Sequence, residues 1–323
     1  MLTVSGSCIC IFALLNYTIA IHGGAGTILR SHLTPEKELV YRRGLEDALL
    51  GAEQVLAANG SAIDAVERAV MLLEDNILFN AGRGAVFTHG GKNEMDAAIM
   101  DGRRLRAGAC TCVEGVRNPV KLARAIMERS DHVFLSGTGA AEFAQRMDIP
   151  FEKPEYFFSQ DRYDQLLRAR EADRIILDHT HLNDKKFGTV GAVALDTQGN
   201  LAAATSTGGM TNKRFGRIGD SPVIGSGTYA NNNSCAVSCT GHGEYFIRYV
   251  AAYDVSCLME YKGYSLRRAC EEVMMKKLRD AGGEGGLVAV DAKGNAELVF
   301  NSEGMYRGFK KAGEPAVISI YRD

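Results

Sequence analysis

Gly188-Thr189-Val190-Gly191-Ala192-Val193-Ala194-Leu195-Asp196 lies deep in the chain, and its reading decides the fold. The apolar run after Thr189 has the character of a core strand. Thr189 is β-branched and opens that strand, while Gly188 admits backbone angles that other residues resist. A hydroxyl placed here can attack the carbonyl before it. If the Gly188–Thr189 bond breaks, Thr189 becomes an N-terminus whose hydroxyl is a nucleophile and whose α-amine is a base. An α-amine has a pKa of about 8, so it serves near neutral pH without a histidine. The same residues also read as a plain turn into a strand, and the neighbouring motifs decide between the two.

Asp196-Thr197-Gln198-Gly199-Asn200 separates two apolar runs and reads as a hairpin, as does Asp291-Ala292-Lys293-Gly294-Asn295. Pairing Asp196 with Leu201 gives partners whose numbers sum to 397 and sets Thr207 opposite Val190, beside Thr189. Thr205-Ser206-Thr207 is polar for a core strand, and a second hydroxyl there can relay a proton or hold the α-amine. Arg217-Ile218-Gly219-Asp220 follows in a glycine-containing loop. The guanidinium suits a carboxylate bidentately and the aspartate suits an ammonium, so the pair can grip a zwitterion. Thr240-Gly241-His242-Gly243 forms a bend just before a helix, where backbone N–H groups suit an oxyanion or carboxylate. His242 reads as incidental there. Gly282-Gly283-Glu284-Gly285-Gly286 follows a helix and reads as a cap and turn.

The wider pattern is one of helices and antiparallel strands in blocks, which implies stacked sheets with helices outside. A strand at 17–21 ends in His22-Gly23-Gly24-Ala25-Gly26. Helices are expected over 35–58 with Thr34 as N-cap, and after Ser61, whose pairing with Asp64 resembles a capping box. Residues 85–115 read as strands broken by Gly90-Gly91 and Asp101-Gly102. Further helices are expected near 119–129 and 138–147, with a strand at 132–135 between them. Two more helices are expected at about 242–260 and 265–281, the second capped by Ser265. From about 150 to 188 the chain is polar, and this stretch reads as an exposed mobile tether; His179 and His181 within it lack a third ligand in register.

Composition bounds the function. The 323 residues are 46% hydrophobic and 24% charged with a net charge of −2, which gives no reason to expect nucleic acid or a membrane as partner. Cys8, Cys10, Cys110, Cys112, Cys235, Cys239, Cys257 and Cys270 form no zinc pattern and read as free thiols, favouring a reducing, cytoplasmic setting. The apolar extension 1–16 resembles the core of a signal peptide but lacks upstream positive charge and a credible cleavage site. Under a secretory or periplasmic reading, Asn16, Asn59 and Asn232 would open glycosylation sequons.

His22-Gly23-Gly24-Ala25-Gly26, Phe79-Asn80-Ala81-Gly82, Met95-Asp96-Ala97, Met100-Asp101-Gly102, the 188–196 stretch, TSTGG at 205–209, RIGDSP at 217–222 and TGHG at 240–243 occur in order. Together they resemble the plant-type L-asparaginase/isoaspartyl peptidase family of N-terminal nucleophile hydrolases. The resemblance implies an α+β fold, a four-layer αββα sandwich of two mainly antiparallel sheets with helices outside. It implies autoproteolysis into subunits 17–188 and 189–323 and hydrolysis of L-asparagine and β-aspartyl dipeptides. Thr189 would be the nucleophile and Thr207 its assistant, with Asn80 nearby. Arg217, Ile218, Gly219 and Asp220 would bind the aspartyl α-groups. Thr240 and Gly241 would form the oxyanion hole, and His242 and Gly243 belong to the same substrate loop. No organic or redox cofactor is implied. The loop at 73–83 matches one whose carbonyls, here those of Leu73, Glu74, Asn76, Phe79, Ala81 and Arg83, hold a structural Na⁺ in relatives. The implied assembly is a dimer of αβ heterodimers. Glycosylasparaginases, with His-Asp before the nucleophile in place of Phe187-Gly188, and an uncleaved amino-acid-binding protein are the alternatives.

Overall fold

The computed structural model describes residues 16–172 and 188–322. The signal-like segment, Cys8, Cys10, the His179/His181 pair and the end of the expected tether fall outside the described residues. The first half opens with β1 (Thr18–Gly26), then α1 (Pro35–Ala57) and α2 (Ala62–Glu74). Thr34 Oγ1 accepts the Lys37 N–H and Ser61 Oγ accepts that of Asp64, so both expected N-caps form. Tyr41, Leu45, Ala48, Leu49, Ala52 and Leu56 bury one stripe of α1, and Ala62, Ala65, Val66, Ala69, Val70 and Leu73 one stripe of α2.

Next come β2 (Met95–Asp101), β3 (Arg106–Val113), α3 (Pro119–Arg129), β4 (Phe134–Ser136), α4 (Gly137–Arg146), α5 (Pro154–Phe157) and α6 (Gln160–Glu171). The second half runs through β5 (Val190–Leu195), β6 (Leu201–Thr207), β7 (Thr228–Ala230) and β8 (Cys235–Gly241). It continues with α7 (Gly243–Tyr249), α8 (Ala251–Lys262) and α9 (Leu266–Glu272). It closes with β9 (Gly285–Asp291), β10 (Ala296–Phe300), β11 (Gly304–Lys311) and β12 (Val317–Tyr321). An eight-stranded sheet in the order β12-β11-β1-β5-β6-β2-β3-β4 stacks on a four-stranded sheet in the order β10-β9-β8-β7. Only the β3–β4 pairing is parallel among them.

Strand alternation sorts the side chains into two cores. Ile19, Ile21, Ala192, Ala194, Ala202 and Ala204 face α1 to α3, while Ala20, Val193, Leu195, Leu201 and Ala203 face the second sheet and the helices beyond it. This is the expected sandwich with helices outside. Continuing the same alternation along β1, β5 and β6 points His22, Thr189, Thr205 and Thr207 between the sheets, at the strand ends.

Several expectations need correction. The β5–β6 partners are Leu195↔Leu201 and Val190↔Ser206, which sum to 396 rather than 397. The loop holds three residues, not four, because Gly199 adopts φ +81° after a tight turn closed by Gly199 N–H to Asp196 C=O at 3.0 Å. Thr207 therefore stands across from Thr189 itself. The first part of the expected tether is helical. Arg162, Leu166 and Ala169 give α6 a narrow buried stripe that its charges obscure, and Phe87, Phe158 and Tyr163 meet beside it. The single helix expected at 242–260 breaks at Val250, which sits at φ +49°. The helix after Ser265 widens over 273–278. β1 runs on through the glycines to Gly26 with a bulge after His22, and no strand precedes β2 in 85–94.

Among the described residues the six cysteines are unpaired, and no helix is long and apolar enough to cross a membrane. Both hairpins are built by one device. Asp196 Oδ1 accepts the N–H groups of Gln198 and Asn200 at 3.0 and 2.8 Å, and Asp291 Oδ1 does the same for Lys293 and Asn295 at 2.9 Å. Asp196 alone also takes the Ala62 N–H at the start of α2, at 3.0 Å. Replacing Asp196 with alanine should cost about 3 kcal/mol, since hydrogen bonds to a charged group are worth about 1.5–3 kcal/mol each and do not add fully. Asp291→Ala should cost less in the same urea titration. Equal losses would show that the bond to α2 contributes nothing.

Candidate active site

Thr189 stands at the head of β5, 7% exposed, with its hydroxyl directed to that of Thr207 at 3.2 Å. Ser221 Oγ lies 3.5 Å from the same atom, a neighbour that the sequence reading did not include. Thr207 Oγ1 also accepts the Gly209 N–H at 3.0 Å, which holds it in place across from Thr189. Asn80 is buried nearby, but its side chain bonds the segment behind Thr207 rather than Thr189. Its amide donates to Gly209 C=O at 2.8 Å and its carbonyl accepts the Val86 N–H at 3.0 Å. A Cβ at Gly208 would lie 2.4 Å from Asn80 Oδ1, so only glycine lets the two segments meet this closely.

Arg217 and Asp220 arrive on the loop after β6. Glu244, in the first turn of α7, receives Arg217 Nε at 2.9 Å and Nη2 at 3.0 Å, a two-pronged grip. Partial burial opposes the Glu244 charge, yet the guanidinium holds its carboxyl below the ordinary value. Arg217 Nη1 is not used in this fork. Asp220 is buried, and burial pushes its carboxyl up to about 7 even though Arg217 pulls the other way. Its Oδ2 has no hydrogen-bond partner among the described residues. A Cβ at Gly243 would lie 2.9 Å from both Arg217 Nη2 and Asp220 Oδ1, which explains a glycine there.

Thr240 Oγ1 is likewise buried and unpartnered among the described residues, at the end of β8. Gly241 pairs with Gly285 and lines one small cavity with Gly188, Thr189, Thr207, Arg217, Gly219, Asp220 and Ser221. Ile218 is 39% exposed and does not line this cavity. His242 Nε2 lies 3.5 Å from Glu244 Oε2, and its ring meets Tyr245 edge-on, so it touches the arginine's partner and not Thr189. The cavity measures about 20 Å³ with Gly188 in its wall, room for about one water. A far larger cavity of about 790 Å³ lies against Phe87, Phe158 and Tyr163. Volume does not mark the chemistry here; the convergence of three hydroxyls, a carboxylate and a guanidinium does.

The loop after α2 carries Asn80 and the carbonyls considered for a cation. Leu73, Asn76, Phe79 and Ala81 each spend one carbonyl lone pair on a backbone N–H. A Cβ on Gly82, at φ +53°, would lie 2.5 Å from Glu74 C=O, and one on Gly84 would lie 2.1 and 2.6 Å from Phe79 and Ile77 C=O. The Arg83 guanidinium stacks over Tyr156 at 5.4 Å. No cluster of three or more acidic, histidine or cysteine side chains suited to a metal occurs among the described residues.

The neighbours of the candidate site that sequence reasoning missed are Ser221 and Glu244. Ser221 follows Asp220 directly, and Glu244 follows the glycine of the bend as the first acid of a helix. An acid at that place was the available signal that Arg217 has a counter-charge.

A family model described as Asparaginase matches residues 15–320. An isoaspartyl peptidase of Salmonella typhimurium is 54% identical over 308 residues, covering 94% of this chain and 98% of its own. A putative isoaspartyl peptidase/L-asparaginase of Dictyostelium discoideum is 48% identical over 90% of this chain and 92% of its own. A plant-type L-asparaginase of Pyrobaculum calidifontis is 43% identical over 92% of this chain and 98% of its own.

Asp220 has a pH signature. Its carboxyl rises from an ordinary 3.8 to about 7 on folding, so the folded state binds more protons between those values. Its contribution to stability therefore falls as pH rises from about 4 to about 7. Asp220→Asn, neutral throughout, should match the wild type in thermal midpoint near pH 4 and exceed it near pH 8. A gap that does not change with pH would remove the burial effect.

Proposed function

This chain belongs to the asparaginase family, and from that premise we propose that it hydrolyses the β-amide of L-asparagine and of β-aspartyl dipeptides. The chain is a hydrolase, and the observation that carries the substrate reading is the cavity that Thr189 shares with Arg217 and Asp220. The α-carboxylate of an aspartyl group takes the free edge of Arg217, and its ammonium completes the unpartnered Asp220. The side-chain carbonyl then faces Thr189.

Scission comes first in this reading. Thr189 Oγ attacks the Gly188 carbonyl and its proton passes to the Thr189 nitrogen as the C–N bond breaks, which frees the amine and leaves Gly188 as an ester on Oγ; water then cleaves that ester to a Gly188 carboxylate and the Thr189 hydroxyl. The wall formed by Gly188 supports this order, because a cavity with room for about one water admits no aspartyl group until that residue moves. In turnover the Thr189 hydroxyl gives its proton to its own α-amine as Oγ bonds the β-carbonyl carbon. Thr240 Oγ1 and the Gly241 N–H receive the developing oxyanion, each donor worth about 3–4 kcal/mol in other hydrolases. The amine returns the proton to the leaving nitrogen, and water cleaves the β-aspartyl ester to aspartate and the free enzyme.

We extend the proposal to a structural Na⁺ in the loop at 73–83. The crowding of the Glu74, Ile77 and Phe79 carbonyls around Gly82 and Gly84 supports it, since a hard monovalent ion is held by such oxygens. Its role would be to order the loop that carries Asn80. Raising NaCl against choline chloride at constant ionic strength should raise the thermal midpoint, and identical curves would remove the ion.

Intact mass under denaturing conditions should give two chains divided between Gly188 and Thr189. Thr189→Ala should give one inactive chain, and a cleaved, active alanine variant would overturn the assignment. Arg217→Lys should raise KM for a β-aspartyl dipeptide more than it lowers kcat, because a planar fork becomes a point charge. An unchanged KM would remove Arg217 from carboxylate binding.

A further inference from the structure

Four fully buried polar side chains that the proposed chemistry does not use lie beneath Thr189: His22 on β1, Thr205 on β6, Thr228 on β7 and Ser238 on β8. His22 Nδ1 lies 3.0 Å from the Thr189 carbonyl oxygen, and its Nε2 lies 2.8 Å from Ser238 Oγ. Ser238 Oγ is 2.7 Å from Thr205 Oγ1, which is 2.6 Å from Thr228 Oγ1. Thr228 Oγ1 is in turn 3.0 Å from the Ser221 carbonyl oxygen, and Ser221 Oγ faces the Thr189 hydroxyl at 3.5 Å. The contacts trace a circuit through both sheets from the Thr189 carbonyl back to its hydroxyl, in which the one Thr228 proton goes to Thr205 or to the Ser221 carbonyl but not to both.

We propose that His22 is a positioning residue for the terminal amine of Thr189, acting through the Thr189 carbonyl and held in orientation by Ser238, Thr205 and Thr228. The proposal rests on the reading of Thr189 as an N-terminal nucleophile.

The geometry gives the reason. The β1–β5 ladder ends at His22↔Gly191, and β1 bulges immediately afterwards, so the Thr189 carbonyl takes a side-chain donor in place of a strand N–H. Once Gly188 is released, nothing upstream holds the amine. The α-carbon of Thr189 is tetrahedral. With its hydroxyl arm held by Thr207 and Ser221 and its carbonyl arm held by His22, the amine is left one position. A base that must reach both Oγ1 and a leaving nitrogen depends on that position.

The hydrogen-bond directions agree. A carbonyl only accepts, so Nδ1 carries the ring proton. Burial pushes the His22 pKa down to about 3, so the ring stays neutral and Nε2 accepts from the Ser238 hydroxyl. Ser238 then accepts from Thr205, and Thr205 accepts from Thr228 whenever the single Thr228 proton is not given to the Ser221 carbonyl. Gly191 makes room for the crossing: a Cβ there would lie 2.0 Å from Ser238 Oγ and 2.4 Å from His22 Nε2.

The test compares processed wild type with His22→Gln, His22→Asn and Ser238→Ala, taking kcat and KM on a β-aspartyl dipeptide per mole of Thr189-terminated chain, with the thermal midpoint of each. An asparagine amide reaches the place of Nδ1, whereas a glutamine amide reaches that of Nε2. His22→Gln should lower kcat roughly 10- to 100-fold with KM within about twofold, as expected for a misplaced catalytic group. His22→Asn should recover part of that loss, and Ser238→Ala should lower kcat several-fold at constant KM. Equal kcat losses in the two His22 variants, or an unchanged kcat in His22→Gln, would overturn the proposal. If neither His22 variant folds, Ser238→Ala decides: a lower kcat at constant KM supports the role, and an unchanged kcat overturns it. Any of these negative results in a wild type that cleaves and turns over leaves the hydrolase reading intact; a wild type that never cleaves refutes that reading instead.

Discussion

The carboxylate of Asp196 holds the register on which the site depends. Its two oxygens collect the N–H groups of Gln198, Asn200 and Ala62 and the Asn200 amide, which fixes the β5–β6 turn and ties it to the start of α2. A sheet repeats every two residues, so a slip of one residue would send Thr205 and Thr207 to the helix side and leave Ser206 facing the second sheet. The hydroxyl pair at Thr189 and Thr207, and the circuit through Thr205, exist only in the register that Asp196 sets. The distance is instructive: a turn seven residues from Thr189 determines what Thr189 meets.

The space between the sheets changes character along the strands. At one end it is apolar, filled by Ala20, Val193, Leu195, Leu201 and Ala203 against Val237, Leu287 and Ala289. At the other it is a stripe of hydroxyls, one imidazole and the carboxylates of Asp96 and Asp220, nearly all without access to water. Buried polar groups are tolerated when they bond one another, and the chain from His22 to Thr228 does so. Asp96 Oδ2, Asp220 Oδ2 and Thr240 Oγ1 do not, and each leaves an unfavourable desolvation that the two apolar cores offset. In the proposed chemistry a substrate would engage the Asp220 and Thr240 atoms, as in a site that gives up stability for binding.

Much of this was legible in the sequence, because the relevant signals were local. Thr34 and Ser61 announce their helices through the residue three places on. Arg217 and Asp220 are legible from chemical type in a short loop. What failed was non-local or hidden in geometry. The loop count at Thr197-Gln198-Gly199 turns on the φ of Gly199, which composition does not state, and one residue of error moved Thr207 off Thr189. The charges of α6 masked a buried stripe of three residues, one of them Arg162. Asn80 was placed near the nucleophile by resemblance, and the bonds that hold it there, to Gly209 and Val86, were not legible. His22 stood in a quoted motif without a role, because its partners lie more than 160 residues away on the far side of the sheet pairing.

The two halves of the proposed zwitterion grip are set in opposite ways, and the difference follows from what each would do. Arg217 is held by Glu244 through Nε and Nη2 before any ligand arrives, so the ordering of a side chain with about 2 kcal/mol of rotamer entropy is largely complete. Gly219 lies close to Nη1, where a Cβ would come within 2.8 Å, and its lack of a side chain keeps that edge open. Asp220 is left without a counter-group on Oδ2 and desolvated until its pKa reaches about 7. It becomes a comfortable anion only when an ammonium arrives. A ligand with a carboxylate alone would meet a prepared arginine and leave the aspartate unsatisfied, while an amine alone would meet the reverse. In the proposed grip, discrimination for an α-amino acid group would thus come from pairing a preformed partner with an unfinished one, the unfinished one carrying the larger share of the penalty for a wrong guest.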